Sequence, residues 1–346
     1  LSADTKGSNS TAIGNGALAT QNFTSATASQ NVAVGNSAGY AVTTGVQNTL
    51  IGHSAGDALT DADYNVAVGM NALTLDTLGS SSTAIGYQAL ASQNYSSASN
   101  TENVAVGMQA GLSITTGGSN TCIGERSGSA LTTNGQCTFV GSYAGAQVTG
   151  GGNICIGREA STSGTALTSG TANVFIGNQT NPGAADRTNA IVIGHSVTSV
   201  NSTQFTFGSG TTDSNIALGA TSITAPSDER YKEEITTSTA GLSFINDLRP
   251  VTFKWKKEKD VPSTHASYVA NSDTRVMGRG DKVQHGFIAQ EVKTVIDNHS
   301  EIKDGFEMWM EDEIDGRQRL APSELIPMLV KAIQELSAEV TALKGE

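Results

Sequence analysis

The chain has 346 residues, 20 basic and 32 acidic, for a formal net charge of −12 at pH 7. That balance, with no basic cluster to follow a phosphate backbone, excludes a general nucleic-acid binder. No apolar run approaches the ~20 residues of a membrane span, no secretory leader is read at the start, and the beginning at Leu1 reads as the interior of a longer polypeptide.

Charge is unevenly placed. Only 14 of the 52 charged residues precede Ser227, and both tryptophans, Trp255 and Trp309, follow it. The front is rich in Ala, Gly, Ser, Thr, Asn and Val. Its apolar residues recur in register, which disorder does not require. The anchor is a short apolar run ending in glycine, as in Thr11-Ala12-Ile13-Gly14 and Val32-Ala33-Val34-Gly35. Further anchors are Gly52, Gly69, Gly86, Gly107, Gly124, Gly141, Gly157, Gly177 and Gly194, at successive spacings of 21, 17, 17, 17, 21, 17, 17, 16, 20 and 17. A period of 17 with insertions of about four predicts a solenoid or fibrous array. Phe207-Gly208 and Leu218-Gly219 read as a degenerate end.

The residue before each anchor glycine is Ile or Val, suited to a pleated strand. The residue before that is apolar and often small, as Ala33, Ala67, Cys122 and Cys155 are. Burial of both strand faces is therefore expected, with the glycine permitting a turn or a close backbone approach. Asn recurs four before the glycine, at Asn31, Asn48, Asn65, Asn103, Asn120, Asn153 and Asn173. Two readings are open: a stacked amide ladder or independent turn caps, the second being preferred. Ala three after the glycine marks a second strand. Cys122, Cys137 and Cys155 fall in repeat slots with no disulfide or metal spacing, and read as small buried hydrophobes.

Over roughly residues 10–200 the pattern resembles the head repeats of trimeric autotransporter adhesins, and also the repeats of phage tail-fibre shafts. The resemblance implies three parallel chains, and a core too poor in large side chains for one chain alone agrees with that. Eleven coils at a strand spacing of ~4.8 Å give a rod of roughly 50 Å. The longer inserts near 21–30 and 91–102 are expected to emerge as loops and are the best places for a ligand contact.

From Ser227 the grammar changes. Leu242, Phe244, Ile245 and Leu248 predict a short helix stopped by Arg249-Pro250, and Val251 to Lys256 alternates as a strand. Residues 257–282 are read as loop, Ala289 to Ile296 as helix, and Met308-Trp309-Met310 as strand. Ile326, Leu329, Ile333, Leu336, Val340 and Leu343 are spaced 3, 4, 3, 4 and 3, an a/d seam with Pro327 in the first turn. The alternative is an amphipathic helix packed on its own domain.

Ser227-Asp228-x-Arg230-x-Lys232, Leu248-Arg249-Pro250-Val251-x-Phe253-x-Trp255, His285-Gly286-Phe287-Ile288-Ala289-Gln290-Glu291-Val292 and the Pro327-to-Leu336 run resemble the C-terminal intramolecular chaperone domain of endosialidases and phage tail fibres. The same domain type occurs in myelin regulatory factor. Arg319-Leu320-Ala321-Pro322 stands where many members carry a tyrosine. The resemblance implies that Ser227 is a nucleophile, Lys232 its general base and Pro226–Ser227 the scissile bond. Arg230 is a supporting cation or a surface charge. His285 and Gln290 either orient the scissile carbonyl and its oxyanion or satisfy buried backbone groups.

The expected fold is mainly β: a trimeric β-solenoid or β-roll shaft over 1–205, a connector over 206–226, and a small α+β module over 227–346 ending in a coiled-coil-like helix over 323–346. The expected protein is a homotrimeric phage tail fibre for host-surface attachment, a virion component assembled in the host cytoplasm. Its C-terminal module drives trimerisation and folding and cleaves itself at most once. Expected partners are the chain itself, other tail proteins and a receptor or glycan, with no nucleic acid, membrane insertion, cofactor or metal. A bacterial trimeric surface adhesin is one alternative. A glycan depolymerase is another, but Asp57, Asp61, Asp63, Asp76, Glu102, Glu125, Glu159 and Asp186 form no convincing catalytic pair.

Overall fold

The computed structural model describes residues 4–220, 222–224, 227–265, 267–278, 280–303, 305–312 and 316–345. It divides into two compact units, Leu1–Asp228 and Glu229–Glu346.

The first unit is a β-solenoid of about 12 turns with repeats of about 17 residues. Each coil contributes a three-residue strand ending at its anchor glycine, from Thr11–Ile13 and Val32–Val34 to Val174–Ile176. These strands stack in parallel and in register: Ala105 pairs with Cys122, and Cys122 with Phe139. The stack continues through Ile191–His195 to Gln204–Ser209, which places Phe207 and Gly208 beside Ile193 and Gly194. Antiparallel Thr212–Ala217 then closes the sheet, so Leu218-Gly219 lies beyond a hairpin rather than in another coil.

The anchor is glycine for two reasons. Its φ lies in the left-handed half of the map, +135° at Gly107, and a Cβ there would stand 2.6 Å from the carbonyl oxygen of Gly124 on the next coil. The close approach follows from the ladder itself, since the Gly124 N–H donates to the Val106 carbonyl at 2.8 Å. The rest of the coil turns through further left-handed residues five before, two after and four after the anchor, such as Gln47, Ser54 and Leu73. The Ala column three after the glycine is buried but sits in these turns, not in a second strand.

The core is a single column in which sizes compensate. Leu50 lies between Gly39 and Gly56, and Phe139 between Gly128 and Gly145, where a Cβ would strike the larger side chain. Where the strand slot holds Ala84, the neighbouring turn positions are Leu73 and Leu90, all fully buried. This keeps the interior at the density of close packing. Only the middle residue of each strand points inward. The flanking residues, expected to be buried on a second face, are half-buried or exposed.

The Asn column is neither a set of independent caps nor a plain amide ladder. Each side-chain oxygen accepts the N–H of the equivalent residue one coil on: Asn48 to Asn31 at 2.8 Å, Asn65 to Asn48 at 2.9 Å, Ser82 to Asn65 at 2.9 Å. Each Nδ2 donates to a carbonyl fourteen residues on, Gly45, Ala62 and Gly79 for the first three, except that of Asn153, which reaches Gly170 across a longer coil. Direct amide contacts join Asn48 to Asn31 and Asn173 to Asn153. Buried backbone groups at the corner are thereby satisfied from the adjacent coil. Cys137 breaks the column: its thiol meets the Gly150 carbonyl only at 3.5 Å, and the Asn153 N–H faces its sulfur. Cys137→Asn should restore both bonds and stabilise the chain by about 1 kcal/mol, read as a raised melting temperature; an unchanged or lowered value would contradict this account. Cys122 and Cys155 are buried small groups, and burial pushes both thiols up to about 12.

The inserted coils are held by a second polar device. Gln93 donates to Asp76 at 2.6 Å and accepts from Asn103 at 2.9 Å, all three fully buried, while Asp76 accepts the Gly79 N–H at 3.0 Å. Asp4, Gln21, Asn31 and Gly7 repeat the arrangement 72 residues earlier. The extra residues leave as loops, each with a two-residue parallel pairing at its base.

The second unit contains three helices among its described residues: α1 (Leu242–Asp247), α2 (Ala289–Asn298) and α3 (Leu325–Lys344). Val251–Phe253 pairs antiparallel with Gln284–Gly286, and Trp309–Glu311 with Gln318–Leu320. Ala240, Phe244, Val292, Ile296, Met308 and Leu325 form its core.

Candidate functional site

The residues expected to cleave the chain cluster in sequence around a short 3-10 turn, Glu229–Tyr231, closed by the Lys232 N–H on the Glu229 carbonyl at 3.0 Å. Ser227, Arg230 and Lys232 are exposed. Pro226 lies outside the described residues. The boundary between the units falls after Asp228, with Ser227 on one side and Lys232 on the other. His285 sits opposite Thr252 on the outer side of its hairpin, and Gln290 lies in the first turn of α2; both side chains are exposed. Neither occupies the buried, backbone-satisfying role open to it from sequence.

Two of the quoted motifs meet directly. Arg249, after α1, forms a bidentate pair with Glu291 on α2, its Nε at 2.9 Å from Oε2 and its second nitrogen on Oε1. Both side chains face solvent, so the pair orients α2 more than it stabilises it.

His299 carries no sequence signal beyond a glutamate two residues on. Its ring stands between Glu301 (Nδ1 to Oε1, 2.8 Å) and Asp247 at the end of α1 (Nε2 to Oδ2, 2.9 Å), edge-on to Phe244. With a carboxylate on each nitrogen, both must donate, which requires the imidazolium. The Glu301 bond foremost, then the Asp247 bond, raise its pKa above the ordinary value, and burial opposes them. The stabilisation is therefore complete below the ordinary histidine pKa and is lost as pH rises through the raised one. Both tryptophans lie in this unit, so their fluorescence reports its unfolding in the full chain. Denaturation at pH 6 and pH 9 should differ by roughly 1 kcal/mol, discounted because Asp247 is largely exposed. In His299→Gln the difference should shrink; an undiminished difference would place the pH dependence elsewhere.

Helix α3 has two apolar faces. Leu325, Met328 and Ala332 turn toward the core of the unit, and Glu335 accepts the Leu242 N–H at 2.7 Å, capping α1. The a/d seam lies elsewhere on the helix: Ile326, Leu329, Ile333, Leu336, Val340 and Leu343 are all exposed. The helix thus packs on its own unit through residues that the heptad pattern does not include.

The solenoid has an uncovered face as well. Ile51, Ile85, Ile123, Ile156 and Ile193, each just before an anchor glycine, are 37–39% exposed. Beside them run Thr49, Thr83, Thr121, Ile154 and Ile191, all half-buried. No charged residue interrupts either column. Exposed isoleucines aligned in one uncharged strip mark a candidate interaction surface.

Most carboxylates of the repeat region take part in coil-to-coil contacts. Asp57 and Asp61 accept the hydroxyls of Thr74 and Thr44, and Asp63 accepts the Val46 N–H. Glu125 accepts the Tyr143 hydroxyl. Among the described residues no group of three or more His, Cys, Asp or Glu side chains is arranged to hold a metal.

Residues 227–301 match the family described as chaperone of endosialidase. No curated protein and no solved structure matches the chain. A β-solenoid followed by a segment of that chaperone type defines a fibre-like structural protein with a chaperone domain. The matched segment contains Ser227, Lys232, Arg249, His285, Gln290, Glu291 and His299, and ends before α3.

Proposed function

We propose that the chain is the distal part of a homotrimeric phage tail fibre used in attachment to a host surface, and that its C-terminal module assembles the trimer. The observation that carries this reading is the presence of two unpartnered apolar strips on one chain, the seam of α3 and the outer face of the sheet. Each is what a parallel self-association would cover. Parallel β-chains find register slowly because their contacts are non-local. A module that trimerises first raises the local concentration of the strands it joins.

Cleavage belongs to the same proposal. The Ser227 Oγ attacks the Pro226 carbonyl carbon, its proton passing to Lys232. Lys232 returns that proton to the Ser227 nitrogen as the acyl group moves from this nitrogen to the oxygen, and water then hydrolyses the ester. Lysine serves as base only when neutral, which burial or a neighbouring cation favours. In the single chain Lys232 is exposed, so in this proposal adjacent chains bury it and cleavage follows assembly. Loss of the module then makes the folded shaft kinetically stable. The insert loops are the proposed receptor contacts, and other tail proteins the proposed neighbours.

The test is refolding of the full chain and of Ile333→Asp/Leu336→Asp. Both side chains are exposed, so the substitutions leave the core of the unit intact. The wild type should recover its β-sheet signal from denaturant, and the variant should recover little. Equal recovery would remove the seam from the assembly route.

A further inference from the structure

The outer face of the sheet is not uniform. Numbering coils by their anchor glycines, the residue before the glycine alternates strictly over the first nine: Ile13, Val34, Ile51, Val68, Ile85, Val106, then Ile123, Val140, Ile156. Coils ten and eleven both carry Ile, at Ile176 and Ile193. The companion column follows the same beat over the first seven coils, Thr with Ile and Val with Val. The structure turns this into relief. Each isoleucine reaches one methylene further than the valine of the neighbouring coil; Ile51, Ile85, Ile123 and Ile156 are 37–39% exposed, whereas Val34, Val68, Val106 and Val140, and also Ile176, are half-buried.

Neither the solenoid core nor the hydrogen-bond ladder calls for such a beat. Both outer columns point away from the interior, and every coil makes the same parallel pairing with the next. A surface built of short rungs at strand spacing is matched rung for rung by another array with that spacing, and this chain supplies one. The absence of charge on the face requires an apolar partner surface, which a second copy also supplies.

We propose that this face packs against other copies of the chain and that the Ile/Val alternation sets their register. The inference rests on the homo-oligomeric reading above and adds what fixes its alignment. On a uniform face, sliding one chain by a single coil would sacrifice only the last rung, because all coils share one backbone geometry. With alternation, a one-coil slide sets Ile against Val at every rung of the first nine coils. A two-coil slide restores the beat except where Ile176 meets Val140, and it leaves two rungs uncovered. The alternation acts at the first pairing of two chains, where on a uniform face a slid pair would form about as readily as an aligned one. A slid pair cannot then be completed to a ring, because a stagger of one coil at each of three interfaces accumulates to three coils.

The experiment mixes two full-length chains, one carrying Ile85→Cys and the other Val106→Cys, refolds them together and oxidises them. Interchain disulfides are then identified by peptide mass spectrometry. The three native cysteines are buried and stay out of the exchange. In the natural background, links between two copies of position 85, or two of position 106, should exceed 85-to-106 links at least tenfold. Changing Val34, Val68 and Val140 to Ile, with Val106→Ile in the partner that lacks the cysteine there, should bring the two kinds of link to similar yield. A background with Ile and Val exchanged over coils one to eight keeps the beat and should be as selective as the natural one; if it is not, alternation is not the register signal. Equal selectivity in the all-Ile background overturns the proposal in the same way. The absence of any interchain disulfide in the natural background would instead overturn the homo-oligomeric reading beneath it.

Discussion

Gly107→Ala should destabilise the solenoid by about 4 kcal/mol or more, placing it among the rare large single-site effects. Two costs coincide. The backbone there has φ +135°, which side chains of L residues rarely adopt. The new Cβ would also meet the Gly124 carbonyl oxygen at 2.6 Å and its carbon at 2.7 Å. Both are backbone atoms, so no rotamer change relieves the contact. Relief requires separating coils six and seven, which breaks the bond from the Gly124 N–H to the Val106 carbonyl. In a linear stack each coil is stabilised by its neighbours, so the break should divide the shaft and open the chain to protease between coils six and seven. Gly210→Ala is the matched control. Its φ is +57° and an added Cβ meets nothing within 4 Å, so its cost is limited to the ~1–2 kcal/mol of a left-handed L residue. Equal melting temperatures for the two variants would show that close approach is not what the anchor glycine provides.

The second large effect is on cleavage. Intact mass of the wild-type chain should show two fragments meeting between Pro226 and Ser227. Ser227→Ala removes the oxygen that carries the acyl group and Lys232→Ala removes the base, so each should leave the chain whole. Ser227→Cys keeps a nucleophile and should retain part of the cleavage. Arg230→Ala separates the two roles open to that residue: slowed cleavage is the result expected of a cation acting on Lys232, and an unchanged rate that of a surface charge. A wild-type chain that stays whole once assembled would mean that the module persists as a cap and that Ser227 and Lys232 have no chemical role.

The legible and illegible parts of this molecule divide along the range of the interactions. The solenoid could be read from sequence because each coil repeats one local solution: glycine for the approach, a β-branched residue outside, a small residue inside. The turns were less legible. Leu18, Leu73 and Leu90 adopt positive φ against their own propensity, because the neighbouring strand slots hold alanine and leave room for them. The Asn column was visible, but its partners, one coil away, were not. The outer face was misjudged because an apolar residue at a strand position suggests burial, whereas here one chain buries only the middle of each strand. In the module, the elements at Leu242, Val251, Ala289 and Trp309 follow from periodicity. The bonds of Asp247 to His299 and of Leu242 to Glu335 span 52 and 93 residues, and no local pattern announces them. The cleavage residues were marked by motif alone, and the exposed side chains of Ser227 and Lys232 add no geometric signature to it.

In the proposed fibre three copies of the chain assemble side by side. Sedimentation equilibrium of the full-length Ser227→Ala chain, which removes the complication of cleavage, tests it most directly. A single species of three chain masses that persists on dilution is expected. A species of one chain mass, with the α3 seam and the isoleucine face left open to solvent, would contradict it.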